Sequence, residues 1–176
     1  MTETAVGTRR AMVLDVIGLL ARLGLAAVWF ISGIAKAADP RTTLVAVRAY
    51  QLLPDNVAEL VAAVLPYLEI ALGLLLLLGL ATRLVAVLSA VLLVVFIAGV
   101  ISAAARGLSI DCGCFGGGGD VPSNQTAYTA EILRDLGFLL LAGYLIVRPR
   151  TLLSVDRWVQ RRSVGSTAND DSTRSQ

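Results

Sequence analysis

The apolar positions of this chain gather into four blocks, each close to twenty residues long and each closed by a short polar or charged run. They span about 12–34, 57–80, 84–105 and 130–147. Blocks of that length predict helices able to cross a hydrocarbon core about 30 Å thick. The third block holds no charged residue, and at 1.5 Å per residue it reaches about 33 Å. The first could pass for a signal peptide, since Ala35-Lys36-Ala37 mimics a small-residue cleavage site. Its apolar run is too long for one, and it carries Asp15 and Arg22. It reads as a retained spanning helix. The predicted fold is therefore all-α, an integral membrane four-helix bundle, with a transmembrane domain over 12–147.

Outside that domain the pattern changes. Residues 1–11 read as a disordered cytoplasmic lead-in. Residues 35–56 read as a loop with an interfacial helical turn or two. Residues 148–162 mix Leu152, Leu153, Val155 and Trp158 with arginines, the pattern of a helix lying on a membrane face. Residues 163–176 have the composition of a disordered tail.

Composition agrees with a membrane-embedded chain: 56% of residues are apolar and only 16% charged, outside the range of ordinary soluble domains. The net charge of +2 is scattered or terminal and leaves no nucleic-acid footprint. Histidine is absent. That removes the commonest proton shuttle and histidine-ligated haem or copper, and makes a four-ligand zinc site hard to build.

Lysine and arginine orient the helices. Arg9, Arg10, Arg83, Arg148, Arg150, Arg157, Arg161, Arg162 and Arg174 lie in the termini and the 81–83 turn; only Lys36, Arg41, Arg48 and Arg106 lie in the other two connections. By the positive-inside rule both termini are cytoplasmic. The loop between the third and fourth blocks then faces the outside of the cytoplasmic membrane, where disulfides persist.

That loop contains the only two cysteines, in Asp111-Cys112-Gly113-Cys114-Phe115-Gly116. Thiols one residue apart can close a small disulfide ring, exchange with a partner's sulfur, or hold a soft metal, and Gly113 permits the tight turn each option needs. Two buried, inert cysteines are the plain alternative. Their position between Asp111 and the glycine run 116–119, which adds chain able to move, favours chemistry over core packing. No metal is assigned.

Further charges bear on the loop. Arg22 and Glu69 sit at mid-depth, where each charge costs roughly 2.5–3.5 kcal/mol to insert; the two are predicted to face one another. Asp15, Arg22, Trp29 and Lys36 recur every seven residues and so line one stripe of the first helix. Glu131, Arg134 and Asp135 lie one turn apart at the outer end of the fourth. Lys36 or Arg134 near a sulfur would favour the thiolate, and Asp111 would oppose it. For Lys36 and Glu131, solvation at headgroup level is the plain alternative. If the loop leads to the positive amino end of the fourth helix, Cys114 is the attacking thiol.

Together these motifs resemble the DoxX-like membrane proteins, and within them the branch of the methylamine-utilisation protein MauE. The resemblance rests on Arg22-Leu-Gly, Trp29-Phe30-x-Ser32-Gly33-x-x-Lys36, Tyr50-Gln-Leu-Leu-Pro54, Leu65-Pro66-x-x-Glu69-x-x-x-Gly73, Gly79-x-x-Thr82-Arg83, the cysteine hexapeptide and Arg134-Asp135. It implies a protein of the cytoplasmic membrane that helps form or maintain disulfides in an exported protein during amine-dehydrogenase maturation. A thioredoxin-like or exported redox protein is the implied partner. By chemical analogy with other four-helix disulfide-forming membrane proteins, a quinone near Arg22, Trp29 and Arg134 is conceivable. The alternative is a non-catalytic membrane subunit of a quinone-linked oxidoreductase of DoxX type, with the cysteines as a staple.

Overall fold

A computed structural model describes residues 2–122 and 126–149, with side chains from residue 12 onward. The interfacial helix expected over 148–162 lies almost wholly outside the described residues, and the tail over 163–176 entirely so. The elements are α1 (Thr2–Ala38), α2 (Pro40–Ala49), α3 (Asp55–Leu78), α4 (Thr82–Ala105), a hairpin of β1 (Ile110–Asp111) and β2 (Gly119–Asp120), and α5 (Tyr128–Val147). By length and composition α1 from Met12, α3 and α4 can each cross a membrane. α5 is 20 residues long, and Glu131, Arg134 and Asp135 in its first two turns set it apart from those three.

α1 packs on α3 and α5, and α4 on α5 and α3. Leu25, Trp29, Leu76, Val85, Leu93 and Leu145 fill the centre. Leu60, Val64, Leu84, Val91, Val94 and Leu140 point outward. A surface so apolar suits hydrocarbon rather than water. α1 begins at Thr2, where the sequence pattern suggested a disordered lead-in. Thr2, Thr4, Val6, Gly7 and Thr8 are weak helix formers, while Glu3, Ala5, Arg9, Arg10 and Ala11 are strong ones, and the helix of the apolar block continues back through the polar segment.

Close approach sets the register of α1 against α3. A Cβ on Gly33 would lie 2.8 Å from the Pro66 carbonyl oxygen, and one on Gly73 would lie 3.2 Å from the Ala26 carbonyl oxygen. The helices are thus antiparallel, with Ser32 and Lys36 level with Glu69. Arg22 is fourteen residues before Lys36, about 20 Å away along the helix. The predicted pairing of Arg22 with Glu69 does not form: Glu69 takes Lys36 and Ser32 instead, while Arg22 is buried elsewhere on the same face of α1.

Residues 40–49 form a complete helix where one or two turns were expected. Its start is specified locally. Asp39 caps it by accepting from the Thr42 N–H at 3.0 Å and the Thr42 hydroxyl at 2.7 Å, and Pro40 occupies the first turn. Arg48 bridges Asp55 and Glu59 and fastens α2 to α3. These exposed pairs are individually weak, so packing carries most of the attachment.

Candidate functional site

The cysteine loop is held from three sides. Its base is the two-residue hairpin, which pairs Ile110 with Asp120 and Asp111 with Gly119. The Tyr128 hydroxyl, at the start of α5, accepts from the Ile110 N–H at 3.1 Å and donates to the Leu108 carbonyl. α2 presses on its upper face. A Cβ on Gly118 would lie 2.3 Å from the Ala46 Cβ, and one on Gly113 would lie 2.7 Å from the same atom. Both glycines have positive φ, +111° and +67°. The glycine run is therefore a packed turn that lets α2 sit on the cysteines, and not the mobile spacer its composition suggested.

Beneath the loop lies a buried polar chain. The Lys36 ammonium is 3.0 Å from both Glu69 carboxylate oxygens and 2.9 Å from the Cys114 carbonyl oxygen. It also donates to the Ser32 hydroxyl. That hydroxyl lies 2.9 Å from Glu69 Oε2 and 2.6 Å from the Cys114 carbonyl oxygen, and with one proton it donates to one of them at a time. Lys36 and Glu69 are 6% and 0% exposed. The ion pair is thus almost wholly enclosed by protein, and Cys114 is docked onto it through its backbone. A headgroup-level, solvated Lys36 is not what the fold produces; Glu131, at 7% exposure, is also buried.

The sulfurs have different surroundings. Cys112 Sγ accepts from the Cys114 N–H at 3.4 Å and lies 3.8 Å from an Arg134 guanidinium nitrogen. The Cys114 thiol also donates to it. These contacts hold the Cys112 thiol below its ordinary range: the Cys114 hydrogen bonds and Arg134 outweigh burial and the nearby Glu131 carboxylate. The same donation, together with burial, pushes the Cys114 thiol upward. Arg134, expected beside one sulfur or the other, lies beside Cys112, because α5 presents it to the first sulfur of the turn. Arg134 is oriented by Asp135 at 3.0 Å and lies 4.8 Å from the centre of the Phe115 ring, a cation–π distance. Asp111 Oδ1 accepts from the Gly113 N–H at 3.3 Å and shapes the turn. Gly116 passes over Ala35, with room of 3.6 Å for a Cβ.

Tyr50, which follows α2, reaches the Cys112 carbonyl oxygen at 3.3 Å. Burial and the surrounding sulfurs and carboxylates push its hydroxyl upward, so it stays protonated. Ser32 and Tyr50 belong to the site although the sequence did not single them out as site residues; Glu131, expected near the loop with Arg134 and Asp135, is part of it too. Ser32 had a signal, since it precedes Lys36 by one helical turn; Tyr50 had none beyond its motif. Ligand atoms of Asp111, Cys112 and Glu131 fall within 4.8 Å of one another, a set able to hold a cation, though Arg134 beside the same sulfur opposes a second positive charge there.

The architecture and this site define a helical membrane protein with a cysteine-pair loop seated on a buried ion pair. Residues 14–148 match the protein family described as "Methylamine utilisation protein MauE", and the chain belongs to that family. Neither a curated protein nor a solved structure matches it.

Proposed function

We propose that Cys112 and Cys114 cycle between dithiol and disulfide, exchanging with an exported or membrane-tethered thioredoxin-like protein and so assisting maturation of an exported protein. The observation that carries this reading is the asymmetry at the two sulfurs: Cys112 has Arg134 at 3.8 Å and the Cys114 N–H at 3.4 Å, while its neighbour Cys114 is pushed toward the protonated form by Cys112 and by burial. In the oxidising direction a partner thiolate attacks the Cys112–Cys114 bond, a mixed disulfide forms, and the partner's second thiol resolves it. The partner leaves with a disulfide and the pair with two thiols. A ring closed over one residue is a tight disulfide, and strained disulfides are the more oxidising.

Trapping tests this directly. Cys114→Ser, which keeps Cys112 and the Arg134 beside it, is expected to accumulate a covalent complex that a reductant releases, and Cys112→Ser much less. No reducible complex with either variant overturns exchange. The distribution of lysine and arginine supports an outward-facing loop in the cytoplasmic membrane. Labelling of reduced Cys112, with Cys114 reacting more slowly, on intact cells by a membrane-impermeant thiol reagent is the expected result; labelling only after permeabilisation overturns that orientation.

A further inference from the structure

A cavity of about 220 Å³ ends on the two cysteines. Lys36, Thr43, Tyr50, Cys112 and Cys114 bring polar groups to its lining. The rest of the lining is mainly apolar, with Val61 and Leu65 of α3 and Phe96 of α4. Leu53 and Val95 line it as well, and these are 42% and 58% exposed, so the cavity reaches the surface between them. α3 and α4 are both membrane-crossing by length and composition; the mouth therefore opens where lipid would lie.

We propose that this cavity takes the ring of an isoprenoid quinone, which reoxidises the Cys112–Cys114 dithiol. The inference rests on the thiol-exchange reading and names the electron acceptor that reading requires. An occupant arriving through such a mouth is lipid-soluble. To be of use beside two thiols it must accept two electrons and two protons. A cavity of about 150 Å³ is enough to take up benzene, so the space here holds a substituted ring, while a long tail stays in the mouth between Leu53 and Val95. None of Arg22, Trp29 and Arg134 lines it, so this site lies apart from the place suggested by analogy.

The reaction balances within the site. The Cys112 thiolate adds to an electrophilic ring carbon, forming a C–S bond. Cys114 sulfur then attacks Cys112 sulfur, the S–S bond forms, and the C–S electron pair remains on the ring. The two thiol protons end on the two quinone oxygens, giving a quinol and a disulfide. The Lys36 charge, committed by hydrogen bonds to Glu69, Ser32 and Cys114, stabilises the developing negative oxygen through its field. The Tyr50 hydroxyl, whose bond to the Cys112 carbonyl is long at 3.3 Å, is the donor able to turn to a quinone oxygen.

The test uses full-length protein in lipid nanodiscs, reduced, freed of reductant and mixed anaerobically with a short-tailed ubiquinone or menaquinone analogue. One quinol per chain and a Cys112–Cys114 disulfide by mass spectrometry are expected, and Leu65→Trp should slow the reaction at least tenfold. A photoreactive quinone should label wild-type protein within 43–53 or 95–99. Protein that exchanges with glutathione disulfide yet leaves both quinones oxidised overturns the acceptor and spares the exchange reading. Failure of both reactions overturns both. Labelling confined to residues that do not line the cavity, or a cavity holding only a co-purified acyl chain that the quinones do not displace, overturns the site.

Discussion

Lys36 and Glu69 form an ion pair at 3.0 Å whose ammonium also holds the Cys114 carbonyl oxygen at 2.9 Å, so a helix–helix contact and the position of a cysteine share one charge. Glu69→Gln leaves that ammonium buried without its counter-ion, a loss of about 3–5 kcal/mol. Replacing both residues by apolar ones of similar size, Lys36→Met with Glu69→Leu, should restore most of the stability. It should restore the loop only in part, because of the two donors to the Cys114 carbonyl the Lys36 ammonium is lost and the Ser32 hydroxyl alone remains. Thermal unfolding in detergent reads the first effect, and faster proteolysis or alkylation of the loop in the double variant reads the second.

Gly118→Ala should disturb the site from the other side. The new methyl meets the Ala46 Cβ and the backbone sits at φ +111°, so overpacking and backbone strain add to roughly 3 kcal/mol. Ala46→Gly removes the shortest contact and leaves the strain and the 3.2 Å approaches to the Cα atoms of residues 46 and 113, and the pair of substitutions should recover about half of the loss. Equilibrium unfolding of the two single variants and the double variant checks this.

Much of this arrangement was legible in the chain. Period seven on α1 placed Arg22, Trp29 and Lys36 on one face, and all three are buried, because helical periodicity depends only on local geometry. The partner of Glu69 was not legible. Depth counted from each block's end placed Arg22 and Glu69 together, whereas the register is set by where glycines let two backbones touch, at Gly33 and Gly73, a property of the helix pair. α2 was underestimated for a related reason: its short apolar pieces look like loop until Asp39-Pro40 is read as a cap with proline in the first turn. The Cys112–Arg134 contact depends on how the loop folds back onto α5, and no spacing encodes that.

The cysteines should react with different pH dependence. Since its neighbours favour the charged form, the Cys112 thiol ionises below its ordinary value, and its alkylation rate should rise through a midpoint under the usual thiol value of about 8.5. Cys114→Ala removes the largest cause and Arg134→Gln removes the cation; both should move that midpoint up. Glu131→Gln removes an opposing charge and should move it down. Cys114, pushed the other way, should alkylate slowly throughout. Mass spectrometry of each cysteine after timed iodoacetamide pulses across a pH series separates the two.

The final prediction concerns the backbone contact that creates the register. A Cβ on Gly33 meets the Pro66 carbonyl oxygen at 2.8 Å and the Ile70 nitrogen at 3.0 Å, backbone atoms that cannot rotate away. A Cβ on Gly73 meets the Phe30 ring at 3.1 Å and the Ala26 carbonyl oxygen at 3.2 Å, where a few tenths of an ångström suffice. Gly33→Ala should therefore cost about 2 kcal/mol or more and Gly73→Ala under about 1. Because Gly33 lies between Ser32 and Lys36, forcing α1 from α3 there also loosens the ion pair. Gly33→Ala and Glu69→Gln should then be less than additive, while Gly73→Ala and Glu69→Gln should add. Additivity in the first pair, measured by equilibrium unfolding in detergent, would separate the helix contact from the site it is argued to align.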